Sequence, residues 1–333
     1  MRKIVAITGA SAGVGRAAAA EFARRGCDVG LMARNMERLQ HAAAELREFG
    51  VRAVPIAADV ADFAAVDAAA AQIEEALGPI DVWVNNAMAT IFAPVRDIAP
   101  HEFRRATEVT YLGQVHGTMA ALARMRPRNR GTIVNVGSAL AYRAVPLQAA
   151  YCGAKFAVRG FTDSLRTELL HDGVDVHLTM VHLPALNTPQ FDWALNKMDR
   201  RPQPLPPIFQ PEVAARAIAF AAFHRRREVW VGMPTVKAIL ANRIAPGLLD
   251  RYLARSGFSG QLTREPIQPE APNNLFDTTP GDFGAHGRFD AQARDRSDEF
   301  IAARHLGAIV CGLLALGGVA AALVRHQPKR ARG

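Results

Sequence analysis

Apolar and polar positions fall along this chain in blocks of two kinds. Short, almost wholly apolar runs (KIVAIT, CDVGLMAR, RAVPIA, IDVWVNNA, GTIVNVG and VDVHLTMVHL) predict strands buried on both faces. The longer stretches between them carry their apolar residues at helical spacing. VGRAAAAEFARR puts Val14, Ala18 and Phe22 on one face, and NMERLQHAAAELREF does the same with Leu39, Ala43 and Leu46. FAAVDAAAAQIEEAL and the regions His101 to Met125 and Ala150 to Leu170 continue the pattern. Buried strands separated by helices of this length predict an α/β fold with a doubly wound parallel sheet, whose ligands bind beyond the carboxyl ends of the strands.

The alternation lapses after Leu183. From Pro184 to Pro211 the chain is rich in proline, with one short helix expected at FDWALNKM, where it would act as a lid. EVAARAIAFAAF and REVWVG restore a helix and a strand, and about Gly257 to Ser297 reads as an irregular surface wrap. Leu306 to Val324 is different again: nineteen residues without a charge, about 28 Å long as a helix and close to the roughly 30 Å of a bilayer core. The expected division is 1–235 for the sheet domain, 236–303 for an irregular extension and 304–333 for a hydrophobic anchor helix with a basic tail.

Composition narrows the class. Half the residues are apolar and 21% are charged, enough for a sizeable core. The three cysteines are too few and too scattered for a disulfide framework or a metal site. The net charge of +9 comes from arginine clusters such as RMRPRNR and HRRRE, unaccompanied by any nucleic-acid-binding motif, and these read as solvated faces. No secretory signal is expected, because the apolar stretch after Lys3 is broken by Gly9, Ser11 and Gly13.

Two patterns carry chemistry. TGASAGVG joins the first strand to the first helix, a setting in which glycines let backbone amides approach a pyrophosphate at a helix N-terminus. YCGAK places Tyr151 and Lys155 one helical turn apart, where a lysine ammonium would favour the phenolate and lower its pKa. Ser138 ends the preceding strand, at the edge where such a sheet binds its ligand.

With the ordered motifs TGASAGVG, Asp59-Val60, NNA, Ser138 and YCGAK, the sequence resembles a short-chain dehydrogenase/reductase over roughly residues 1–235. That resemblance implies a Rossmann-like fold and hydride transfer between nicotinamide and an alcohol or ketone, Ser138 polarising the oxygen, Tyr151 passing the proton and Lys155 holding the ribose. It implies a cofactor held by Gly9, Ser11, Gly13 and Val14 at the phosphates, with Gly15 allowing close packing, Asp59 and Val60 at the adenine, and Asn86 with Ala87 at the ribose. Pro184 and Thr188 fall where the family meets the carboxamide, although the usual P-G-x-x-x-T is shortened here. Thr110 stands where many members have an asparagine that relays protons through water, and Met88 replaces the glycine usual after NNA.

Cofactor choice turns on LMARN. The second strand ends in Ala33 and Arg34, without the carboxylate that commonly accepts from the ribose hydroxyls, and a guanidinium suits a 2′-phosphate, so NADP is expected over NAD. The tail suggests a membrane partner through the C-terminal helix, where Gly307, Cys311 and Ala315 form a small-residue stripe. The catalytic domain is then expected on the cytoplasmic side, with a spanning helix and a shallow interfacial or re-entrant placement both open. The family commonly forms homo-oligomers, and nothing in the sequence sets the number. The reading from a different class is a nucleotide-binding sensor or scaffold at the membrane without turnover.

Overall fold

The computed structural model describes residues 2–267 and 271–304. Seven strands form one sheet: β1 (Ile4–Thr8), β2 (Asp28–Ala33), β3 (Ala53–Ala57), β4 (Val82–Asn85), β5 (Gly131–Ser138), β6 (Val176–Leu183) and β7 (Glu228–Trp230). Every pairing is parallel and the order is β3-β2-β1-β4-β5-β6-β7. The strands are apolar on both faces because each face has its own core, and side chains alternate between them. Val5 and Ile7 point into the core shared with α1 (Gly13–Arg24), α2 (Met36–Arg47) and, later in the chain, Pro211–Phe223. Ile4 and Ala6 point into the other, with α3 (Phe63–Leu77) and the helices from Pro100 to Met125 and Ala149 to His171.

Helix starts follow local chemistry. Asn35 caps α2 by accepting from the Arg38 amide at 2.9 Å, and Asp62 caps α3 by accepting from Ala64 and Ala65. The long helix expected from His101 to Met125 is in fact α4 (Pro100–Thr107), a π-helical turn at Glu108–Leu112, and α5 (Gly113–Met125). After α6 (Ala149–His171), the lid helix expected at FDWALNKM shrinks to α7 (Gln190–Trp193). Ala194 turns extended, and Leu195–Asn196 instead pairs with Ile91–Phe92.

The extension is less irregular at its start than expected. After α8 (Pro211–Phe223), α9 (Met233–Ile244) and α10 (Pro246–Ser256) occupy the stretch, each opened by a proline in its first turn. Only Thr235 and Ile239 of these two helices are buried, so they lack the wide apolar stripe that sequence periodicity detects. From Gly257 onward the chain does wrap the domain. Leu262–Pro266 pairs antiparallel with Arg200–Pro202, Leu275 and Phe289 dip into the interior, and α11 (Asp298–Arg304) buries Phe300. The hydrophobic run Leu306 to Val324 and its basic tail lie outside the described residues. Among the described residues no helix is long and apolar enough to cross a membrane.

Candidate active site

The glycine turn owes its shape to close approach. Gly9 adopts φ +68°, and a β-carbon there would lie 2.8 Å from the Ala87 Cα, while one on Gly15 would lie 2.1 Å from the Gly9 carbonyl oxygen. The turn and the loop after β4 are thus pressed together. Asn86 Nδ2 donates to the Thr8 and Gly9 carbonyls at 3.1 and 3.2 Å, and Thr8 Oγ1 accepts from the Asn86 and Ala87 amides. Ala12, the N-cap of α1, has no side-chain acceptor to offer. The helix therefore opens on amides that an anion can use.

These pieces line one cleft along the carboxyl edge. It runs from Arg34, Asp59 and Val60, past Ser11, Gly13 and Val14, to Asn86, Ala87, Met88 and Thr188. A β-carbon on Gly13 would stand 3.5 Å from Thr188, so the absence of a side chain keeps the two banks apart. At one end, Arg34 and Arg38 give their guanidinium hydrogens to neutral acceptors, namely the carbonyls of Asn274, Phe276 and Gly281 and both oxygens of Thr279. An elongated cleft with amides at its middle and two such cations at its end fits a dinucleotide. Gly15 and Pro184 stand outside the lining. Gly15 packs on Gly9 and Asn86, and Pro184 lies under Gly232. Asp59 holds Arg105 at 2.5 Å, and although burial alone would raise its carboxyl, Arg105 and the Ala61 amide bring it below the usual range.

Ser138, Tyr151 and Lys155 meet one strand over from the cleft. Ser138 is the last residue of β5, and its hydroxyl accepts from the Leu140 amide at 3.1 Å. Lys155, 1% exposed, donates to the Val136 carbonyl at 2.7 Å and lies 5.5 Å from the centre of the Tyr151 ring. Burial pushes the Tyr151 phenol above its ordinary value, more strongly than its hydrogen bond with Ser138 pulls it down. Burial also lowers Lys155 to about 7. The expected lowering of the phenol by a lysine ammonium is therefore absent. Both groups are desolvated, and desolvation favours the neutral phenol and the neutral amine.

Thr110 sits in the π-helical turn, and its hydroxyl both donates to the Ala89 carbonyl at 2.8 Å and accepts from the Ala89 amide at 2.9 Å. That two-way bond fastens the loop carrying Asn86 to Met88, which is a positioning task; the hydroxyl is not directed at Tyr151 or Lys155.

Several residues of the site were not singled out from sequence. Arg38 and Trp193 line the cleft, and so do Asn274 and Thr278 of the extension. Arg38 had a local signal, lying one turn beyond Arg34 just after the Asn35 cap; the extension residues had none. Behind Ser138 lies a second unexpected group. His182, fully buried on β6, faces the Ser138 carbonyl through Nδ1 at 3.2 Å and the Glu228 carboxylate through Nε2 at 3.6 Å. Glu228 also accepts from Tyr142 at 2.5 Å and Trp230 at 3.0 Å, and against the upward pull of burial these partners hold its carboxyl well below the usual range.

A sequence model of the family described as short chain dehydrogenase matches residues 3–197. The chain belongs to this family. It is 32% identical over 281 residues to the uncharacterized oxidoreductase YxnA of Bacillus subtilis (strain 168), covering 84% of this chain and 79% of that one. It is 29% identical over 259 residues to a fatty acyl-CoA reductase of Acinetobacter baylyi, covering 77% and 84% of the two chains. Among solved structures, an alcohol dehydrogenase from the archaeon Thermococcus sibiricus, complexed with 5-hydroxy-NADP, superposes with a TM-score of 0.60 at 26% identity over 69% of this chain and 96% of that one. The short-chain dehydrogenase fold and an oxidoreductase activity on CH–OH or C=O groups follow from the family.

Proposed function

We propose that this short-chain dehydrogenase is an NADP(H)-dependent oxidoreductase of a lipophilic substrate, working mainly as a carbonyl reductase near neutral pH. The carrying observation is the cluster of buried Ser138 and Lys155 with half-buried Tyr151, whose surroundings push the phenol upward and so favour its protonated form. The nicotinamide cofactor, when bound, supplies the hydride. Ser138 orients the carbonyl oxygen through its hydroxyl. Tyr151 gives its proton to that oxygen as negative charge develops there, and a phenol raised by burial is a proton reservoir across the physiological range. Lys155, poised at about 7, exchanges protons at the pH where the enzyme would work.

Support for NADP is the Arg34 and Arg38 pair, since a 2′-phosphate makes bidentate ion pairs with guanidiniums that a ribose hydroxyl does not. A lipophilic substrate is supported by the apolar run Leu306 to Val324 and by the likeness to a protein named as a fatty acyl-CoA reductase. The same run would tether the catalytic domain to the cytoplasmic face of a membrane. Removal of residues 304–333 should then release the protein from the membrane fraction; a full-length chain absent from that fraction rejects the tether.

The activity test is NADPH oxidation with fatty aldehydes, sterol ketones, retinoids and quinones. Tyr151→Phe should keep NADPH affinity within about twofold and lose roughly 10²- to 10⁴-fold in turnover, the range for a positioned acid. A chain that binds NADPH yet turns over none of these carbonyls would instead support the sensor reading, and a Tyr151→Phe enzyme at wild-type rate would remove Tyr151 from the chemistry.

A further inference from the structure

The cleft has a cover. Residues 273–284, from the extension beyond the matched family region, cross it from end to end. On the glycine-turn bank, Asp282 grips Arg16 with both carboxylate oxygens, at 2.5 and 3.0 Å, and the Gly284 carbonyl accepts the Gly13 amide at 3.0 Å. On the opposite bank, the Asn274 amide donates to the Trp193 carbonyl at 2.9 Å, and the Phe283 ring meets the Trp193 ring edge-on at 4.7 Å. The two banks close on each other at this point. The Arg38 guanidinium lies 5.1 Å from the Trp193 ring centre and 4.8 Å from that of Phe283, on a helix that belongs to the first bank.

The bonds that hold this cover use donors that the cleft would offer an anion. The Gly13 amide and the guanidiniums of Arg34 and Arg38 are all spent on strap oxygens that carry no charge. A phosphate oxygen brings a full negative charge and a bidentate match to a guanidinium, neither of which a strap carbonyl offers, and it turns the neutral Gly13 amide bond into a charge-assisted one, so it can take these donors from the strap. The strap is also shallow. Leu275 is its buried apolar anchor and Thr279 is buried beside Arg38, whereas Phe276 is 47% exposed and Phe283 only partly covered, the profile of a segment that opens without unfolding the domain.

We propose that residues 273–284 are a strap that must lift for the dinucleotide to enter or leave, latched where Phe283 closes on Trp193 and Arg38. This rests on the dinucleotide reading of the cleft. Lid opening limits turnover in many enzymes, and here the covering segment comes from the extension.

The test is stopped-flow NADPH fluorescence on the full-length protein, with Phe283→Ala and, as a milder change, Asp282→Asn. A gating strap predicts that association and dissociation both accelerate, by roughly tenfold for the lost ring contact, while the dissociation constant moves less than about threefold. Binding that appears only in the variants would also support the strap, with a tighter latch than supposed. An unchanged association rate in both folded variants overturns the strap, whether or not dissociation quickens, because a fixed wall affects residence alone. Failure of the wild type and both variants to bind NADPH at all overturns the cleft reading and the strap together, and is thereby distinct from normal binding with unaltered kinetics.

Discussion

The sheet core and the strap are held by different physics. In the core, side chains such as Ile7, Phe22, Leu39 and Ile73 are wholly buried, and their positions follow from spacings of two along strands and three or four along helices. The strap touches the same domain through arginines reaching oxygens some 240 residues away, with Leu275 as its buried apolar anchor among residues 273–284. Apolar burial is collective, so a core position fails together with its neighbours. Arginine-to-carbonyl bonds are separate and exchangeable for water or for another acceptor, so a strap of this kind opens piecemeal.

The comparison is broken most directly by one substitution in each region. Ile73→Ala removes a fully buried side chain of α3 and should cost about 2–5 kcal/mol in global stability. Phe283→Ala should cost less than about 1.5 kcal/mol, the upper value for an aromatic pair, and leave the main thermal transition nearly in place. Urea melts of both variants measure this. Equal losses would mean that the strap belongs to the cooperative core.

The same difference decides what could be read in the sequence. The strands and the first helices were legible because Val5 with Ile7, and Leu39 with Leu46, report their own environment through local spacing. Ser138, Tyr151 and Lys155 were visible as a set because strand end and helix turn bring them together within eighteen residues of chain. The Arg38 contacts to Thr279 and Gly281 have no such local origin: apart from the Thr279 hydroxyl the acceptors are backbone oxygens, which every residue carries. Helices α9 and α10 went unread because most of their surface is exposed, and α7 was overextended because Ala194 and Leu195 carry helix-compatible side chains while the backbone is claimed by pairing with Ile91–Phe92. The neutral character of the Tyr151 and Lys155 pair depends on burial, which no spacing encodes.

That burial yields a second test, since the strap gives each of its arginines several acceptors while the core buries Lys155 against the Val136 carbonyl. Lys155 falls from its ordinary 10.5 to about 7. Between those values the unfolded chain binds a proton that the native one does not, so stability should rise with pH across that window, and below about 7 the full penalty applies. Lys155→Met should therefore be more stable than the parent by a few kcal/mol below pH 7, at about 1.4 kcal/mol per pKa unit, with the gain fading towards pH 10.5. Val136 keeps an acceptor's partner in the variant, because Gln114 Nε2 also donates to it at 3.1 Å. Denaturant melts at pH 6, 8 and 9.5 read the slope. A gain independent of pH would assign the effect to packing and not to charge.

The remaining test lies where the two regions meet. Arg34 stands at the end of β2 and binds the strap through the Asn274 and Phe276 carbonyls, at 2.5 and 2.6 Å. Its replacement by alanine removes a phosphate donor and loosens the strap at once, so affinity for one cofactor alone would confound the two. Their ratio separates them. Strap loosening acts on NADPH and NADH alike, because both must pass beneath residues 273–284, whereas a 2′-phosphate contact exists only for NADPH. Arg34→Ala should weaken NADPH relative to NADH by about 1.5–3 kcal/mol, the range for a hydrogen bond to a charged group. Calorimetric titration of both cofactors into wild type and variant gives the ratio. If the two affinities shift together, Arg34 serves the strap and does not read the phosphate, and the NADP preference then rests on Arg38.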